Sequence, residues 1–318
     1  MKKLITMAAI AALTLTGCTA TENTLVRIAT HDSFAISDEL IAEFESETDY
    51  QLEILRLGDT GSLANQLVLT KNAPVADAFY GIDNTFASIA TENEVVDGEL
   101  TEINYSDVCF NYDIAWFEEN KIQAPLSWRD LDQKQYRSLT VVTNPNQSSP
   151  GLAFLATTIA GFDSQVETFA YWEELKNNDL KVAGSWEDAY FVDFTRYGGT
   201  RPIVLSYASS PAAEVGEDGK AGTKALTKEC FRQIEYAGVL TNSANQPGAK
   251  ALIEFLLGDS FQRSVPEAMY VYPGVAGTAL PESWAAFALP AESTIGENLD
   301  FAKDRAQWLT SWSVLFDN

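Results

Sequence analysis

Apolar and polar residues alternate from Leu25 to Thr30, the two-residue period of a strand with one buried face. Beyond it, Leu40, Ile41 and Phe44 return at helical spacing behind Ser37, a residue type that caps free N–H groups at a helix start. The couple then repeats. Gln51 to Leu57 reads as a strand and Leu63 to Thr70 as a helix, joined by Gly58-Asp59-Thr60-Gly61-Ser62. Ala76 to Tyr80 reads as a third strand, ending in Gly81-Ile82-Asp83-Asn84 ahead of another helix. Consecutive strand–loop–helix units predict a parallel α/β layer.

The rhythm changes after that. Tyr105 to Phe117 is predicted as one long strand, Ser127 to Leu131 as a helix start, and Leu139 to Thr143 as a strand ending in Asn144-Pro145-Asn146-Gln147-Ser148-Ser149-Pro150. Tyr171 to Lys176 follows as a helix, Lys181-Val182 as a short strand, and Ser185 to Tyr190 as another helix start. The apolar run Ile203-Val204-Leu205 ends in Ser206-Tyr207-Ala208-Ser209-Ser210-Pro211. That is a buried strand, then a serine-capped helix start with proline in its first turn. Glu235 to Leu240 is predicted as a strand, Gln246 to Leu257 as a helix and Tyr270-Val271-Tyr272-Pro273 as an aromatic loop. The remainder reads as helical, with Trp308, Trp312 and Phe316 at four-residue spacing as core.

Composition narrows the picture modestly. At 318 residues and 46% hydrophobic content the chain suits two compact globular lobes. Its 45 acidic and 21 basic residues, net charge −24, repel nucleic acid and anionic membranes. Met1-Lys2-Lys3 followed by the apolar stretch Leu4 to Leu15 reads as a secretory signal, too short to span a membrane. Its ending, Leu15-Thr16-Gly17-Cys18, resembles the lipobox of bacterial lipoproteins. That resemblance implies cleavage after residue 18's neighbour Gly17, a lipid on Cys18, a tether over 19–24 and an extracytoplasmic, membrane-anchored protein. Cys109 and Cys230 remain, and an exported pair is expected to oxidise. With the single His31, no cysteine or histidine spacing resembles a metal site.

Asp32-Ser33-Phe34, Gly81-Ile82-Asp83-Asn84, Ser148-Ser149-Pro150-Gly151-Leu152, Trp186-Glu187-Asp188-Ala189-Tyr190, Leu205 to Ala212 and Tyr270 to Pro273 occur in that order. Together they resemble the thiamine-binding substrate-binding proteins of bacterial ABC importers, from about Leu25 to the C-terminus. The resemblance implies an α/β type II periplasmic-binding-protein fold: two α/β lobes, crossing hinge strands and a ligand cleft between them. One lobe would comprise 25–107 and 233–276, the other 108–232 and 277–318. Carried onto this chain, ligand contacts fall on Asp59, Thr60, Ser148, Ser149, Trp186, Tyr207, Ala208, Ser209 and Ser210.

The chemistry of a thiamine-type ligand adds candidates. Its thiazolium is a permanent cation, which aromatic faces attract. Trp186, Tyr207, Tyr270 and Tyr272 are candidates for that packing, and Asp32, Asp59 and Asp83 for polar contacts. A phosphate would suit the serine-capped helix starts at Ser148–Ser149 and Ser209–Ser210. Relatives differ at three places: some carry a tryptophan at Tyr270, a glycine often stands at Thr60, and a tyrosine stands at His31, which is expected here as a half-exposed structural histidine. The expected protein is a non-enzymatic monomer with no cofactor, a permease as partner and thiamine or a thiamine phosphate as cargo. Two alternatives are a binder of ferric iron or a polyamine, and a thiaminase-like enzyme using Cys109. Ferric binders resemble one another in an adjacent tyrosine pair, where Tyr207 here has Ala208.

Overall fold

The computed structural model describes residues 24–316. The signal segment 1–18, with Cys18, and residues 19–23 of the tether lie outside the described residues. The chain opens with the expected alternation: β1 (Leu25–Thr30), α1 (Asp38–Thr48), β2 (Gln51–Arg56), α2 (Thr60–Thr70), β3 (Ala78–Asp83) and α3 (Ala87–Glu92). Ser37 caps α1 by accepting from Leu40 N, as its position implies. Helix α2 begins three residues before Leu63, because the Asp59 carboxylate caps it. Strand β1 pairs in parallel with both β2 and β3.

The long strand is displaced from its predicted span. β4 covers Thr101–Asp113, and Ile114–Asn120 is a helix, α4. Asp113 ends the strand by accepting from Trp116 N at 3.2 Å, an N-cap that the apolar run Ile114 to Phe117 conceals. Ser127 begins only a single 3₁₀ turn, Trp128–Asp130. Then come β5 (Thr140–Thr143), α5 (Ser149–Gly161), α6 (Gln165–Asn177), β6 (Lys181–Ala183) and β7 (Ile203–Tyr207). The segment after Ser185 winds into a π-type turn, Asp188–Asp193, and Ser210–Glu214 is a 3₁₀ turn instead of an α-helix. Strand β8 runs from Thr223 to Val239, beginning well before Glu235. After α7 (Gln246–Leu256) comes a helix the pattern does not announce, α8 (Asp259–Met269), then β9 (Tyr272–Pro273), α9 (Glu282–Phe287) and α10 (Phe301–Phe316).

Among the described residues the strands form one sheet in the order β2-β1-β3-β8-β4-β7-β5-β6, with β9 beside β4. Two parallel groups, β2-β1-β3 and β7-β5-β6, are therefore joined by an antiparallel pair, β8 and β4. Both long strands change neighbours along their length. β4 meets β9 at Asn104–Tyr105 and β7 from Val108 to Tyr112. The β4–β8 register also breaks: Val108 faces Phe231 while Phe110 faces Leu226, so residues 227–230 bulge from β8. Cys109 and Cys230 close a disulfide at the foot of this bulge, with Cα atoms 5.0 Å apart. Helix α10 lies across both groups. Trp312 and Phe316 pack on Trp172 of α6, while Arg305 donates to Thr85 O and Ser88 Oγ beside α3.

Candidate functional site

Where the two parallel groups meet, a cavity of about 530 Å³ opens between the loop after β1, the end of α8 and the turn that begins at Trp186. One wall is aromatic. Trp186 stacks on Tyr190 (centroids 5.0 Å) and meets Phe191 edge-on at 5.5 Å, Tyr207 at 6.0 Å and Tyr270 at 6.2 Å. The wall is anchored behind: Trp186 Nε1 donates to Ser206 Oγ at 3.0 Å, and its backbone N–H to Asp59 Oδ2 at 3.1 Å. Tyr270 closes α8 in a left-handed conformation (φ 62°), which turns its ring toward the cavity side. Asp32, Glu187 and Glu235 bring carboxylates to the same lining, with Arg56 among them.

Glu235 is the most constrained of these carboxylates. Tyr80 donates its hydroxyl to Oε2 at 2.9 Å, Gln233 donates to Oε1 at 3.3 Å, and Asn104 in turn donates to the Tyr80 hydroxyl. His31 Nε2 lies 3.3 Å from Oε1, with both side chains buried. Burial alone would neutralise both groups. For His31 it is outweighed by Glu235, with Asp59 and Asp32 behind, and the imidazole pKa stands above its ordinary value. For Glu235 it is outweighed by His31, Asn104 and Tyr80, and the carboxyl pKa stands below the usual range. His31 needs a gap in β3 to reach this place: a Cβ on Gly81 (φ +96°) would sit 2.0 Å from its Cδ2. His31 is thus only 6% exposed, a lining residue instead of the half-exposed structural one expected.

Of the candidates, Asp32, Trp186, Tyr207 and Tyr270 are brought together around the cavity. Asp59 and Thr60 lie behind it at the N-terminus of α2, where Thr60 Oγ1 donates to Gly81 O at 3.1 Å. Burial raises the Asp59 pKa, opposed by His31 and the donors of Thr60 and Trp186. Ser148 and Ser149, at the start of α5, face Asp59 and Asp83 respectively, yet neither hydroxyl closes a hydrogen bond of ordinary geometry. Asp83 is fully buried, caps the turn through Thr85 and Phe86 N, and is pushed up to about 7 by that burial.

Four candidates sit elsewhere. Ala208 packs on the disulfide. Ser209 donates to Tyr270 O, and the Ser210 hydroxyl pairs with Ser206 and accepts from Tyr207 N, so both are absorbed in bracing the wall. The segment Ser210–Glu214 is a five-residue 3₁₀ turn and not an α-helix, so the second anion-binding helix start expected there is not formed. Tyr272 turns away, stacked on Tyr105 and edge-on to Trp284, because its strand β9 pairs with β4. The pattern also missed Glu235, Glu187 and Phe191. Glu235 carried no local signal, since apart from Gln233 beside it on β8 its partners come from β1's loop, β3 and β4. Phe191 did: it follows the quoted Trp-Glu-Asp-Ala-Tyr segment directly.

Residues 76–291 match the sequence profile of the bacterial extracellular solute-binding protein family. Two curated relatives are named thiamine-binding periplasmic protein. That of Brucella suis biovar 1 (strain 1330) is 27% identical, covering 97% of each chain, and that of Escherichia coli (strain K12) is 24% identical, covering 91% of this chain and 92% of the relative. Among solved structures, a periplasmic thiamin binding protein superposes with TM-score 0.79 at 22% identity, covering 92% of this chain and 96% of the other. The apo ferric ion-binding protein A of Pasteurella haemolytica superposes with TM-score 0.72 at 16% identity, covering 93% and 99%. These likenesses show the fold, that of type II periplasmic binding proteins.

Proposed function

We propose that this chain, which belongs to the bacterial extracellular solute-binding protein family, captures thiamine or a thiamine phosphate outside the cytoplasm and presents it to an ABC importer. The observation that carries this reading is the cavity itself: the rings of Trp186, Tyr207 and Tyr270 share its lining with Asp32, Glu187 and Glu235. A flat, permanently cationic ring fits between an aromatic face and a carboxylate, each of which attracts it when water is excluded. The names of the curated relatives support the same cargo. A lipid on Cys18, a permease partner and a monomeric state complete the proposal, with no cofactor required.

In this scheme 25–107 with 233–276 and 108–232 with 277–318 act as lobes that close on the ligand. Contacts across the seam fit such closure: Gly61 N donates to Gln147 O at 2.7 Å, and Trp186 N to Asp59. A Cβ on Gly61 would lie 2.6 Å from Asn146 O, so only glycine allows that approach. Ligand that binds both lobes stabilises the closed form by its differential affinity for it. The thiaminase-like alternative needs a free Cys109 thiolate, and that sulfur is bonded to Cys230. The ferric alternative finds no donor at Ala208, which is buried beside Tyr207.

A phosphate would be held at the start of α5, where the helix N-terminus lies and the Ser148 and Ser149 hydroxyls, which face Asp59 and Asp83, would turn to it. Titration with thiamine and thiamine monophosphate tests both levels. The wild type is expected to bind both. Ser148→Ala combined with Ser149→Ala is expected to lose about 1.5–3 kcal/mol toward the monophosphate, the worth of hydrogen bonds to a charged group, and little toward thiamine. Equal losses for both ligands would remove the phosphate subsite. Failure of the wild type to bind either would remove the thiamine assignment.

A further inference from the structure

We propose that His31 and Glu235 form a proton-for-cation exchange couple, in which Glu235 supplies the counter-charge for the ligand's cation and His31 releases its proton as that cation arrives. The inference rests on the cationic-ligand reading above. Both side chains line the cavity, each is 6% exposed, and Nε2 and Oε1 are 3.3 Å apart. The Glu235 carboxylate is fixed by Tyr80 and Gln233, bonds that do not depend on which cation it faces. His31 Nε2 is different, since it is held by its charge-assisted contact with that same carboxylate, 3.3 Å away. A second positive charge brought to the same buried carboxylate therefore repels the imidazolium, and the cheapest response is loss of its proton.

The other groups facing His31 set the direction. Glu235 comes from β8, Asp59 from the cap of α2 and Asp32 from the loop of His31 itself, and all three favour the imidazolium. Tyr80, with ring centroids 5.5 Å apart, comes from β3; Tyr207 comes from β7. Burial lifts both phenols well above their ordinary value, so they stay neutral. Glu187 and Arg56 complete the charged lining from the Trp186 turn and β2. In the free protein the imidazole pKa is above its ordinary value. Ligand lowers it. Between the two values binding releases a proton, and affinity rises with pH by up to about tenfold per unit; above the free-protein value it levels off.

His31 is the chain's only histidine, so imidazole NMR of the tag-free protein reads this site alone. The titration curve would be recorded for the protein alone, with saturating thiamine, and with the uncharged aminopyrimidine half of thiamine. Thiamine is expected to lower the midpoint by about one unit or more, a tenfold change in proton affinity, and the uncharged half to move it much less. Calorimetry in buffers of different ionisation enthalpy is expected to show proton release that disappears in His31→Gln. An unmoved midpoint in a sample saturated with thiamine would overturn the exchange while leaving the ligand assignment standing. Proton release of wild-type size in His31→Gln would also overturn it. Absence of thiamine binding would overturn the ligand assignment and this inference together.

Discussion

Trp186→Ala is expected to weaken thiamine binding by about 2 kcal/mol or more, roughly thirtyfold, the usual loss when a desolvated aromatic anchor is truncated. Trp186 is the hub of the wall, touching Tyr190, Phe191, Tyr207 and Tyr270. The substitution removes the ring but leaves the backbone bond to Asp59. It also leaves Ser206 paired with Ser210, so the local frame survives. Tyr207→Ala is expected to behave alike, since that ring lines the same cavity. Tyr272→Phe serves as the contrast. Its hydroxyl donates to Ala288 O outside the cavity, so its removal is expected to leave affinity unchanged. Calorimetric titration of the three variants decides. Wild-type affinity in both Trp186→Ala and Tyr207→Ala would show that the ligand does not sit against this wall.

The second large effect concerns stability. Replacing both cysteines, Cys109→Ser with Cys230→Ser, is expected to lower stability by about 2–5 kcal/mol, the usual cost of removing a native disulfide. The bond spans a sequence separation of 121 residues, long enough for loop closure to restrict the unfolded chain strongly. It also sits where the β4–β8 ladder is interrupted, so the backbone bonds that would hold the two strands together are missing at that point. The bulge is braced from outside as well, by Arg129 to Glu229 and by Cys230 N to Ser293 O. These bonds keep the double variant folded while its urea midpoint falls. An unchanged midpoint would mean that the native contacts around the bulge suffice without the covalent link.

How much the sequence discloses differs from place to place. The first three strand–helix units were legible because their two periods and caps are local properties, and Ser37 caps as its position demands. The first half of β8 was not. Its residues 224–230, Lys-Ala-Leu-Thr-Lys-Glu-Cys, carry a bulge that breaks the alternation a strand otherwise shows. Helix α8 was hidden by Pro266, which sits inside it, where proline is normally taken as a stop. The β4 boundary failed because Asp113 both ends the strand and caps α4, while the apolar residues continue without a break.

At the site, Trp186, Tyr207 and Tyr270 were legible through motif resemblance and ring chemistry. Tyr272 was misplaced by the same means: two residues from Tyr270, it points the other way because β9 pairs with β4. The His31–Glu235 couple had no signature at all. It is assembled from distant segments by the sheet order, with Gly81 making the room. Long-range pairs of this kind become visible only once the strands are placed.

The central claim is that this cleft holds a cationic aromatic solute, thiamine or its phosphate, between a ring wall and carboxylates. Calorimetric titration of the wild-type protein with thiamine, spermidine and ferric citrate in parallel tests it most directly. Tight one-to-one binding of thiamine, with spermidine and ferric citrate far weaker, is the predicted result. Tight binding of either competitor, with no heat from thiamine, would contradict it and leave only the fold and the family in place.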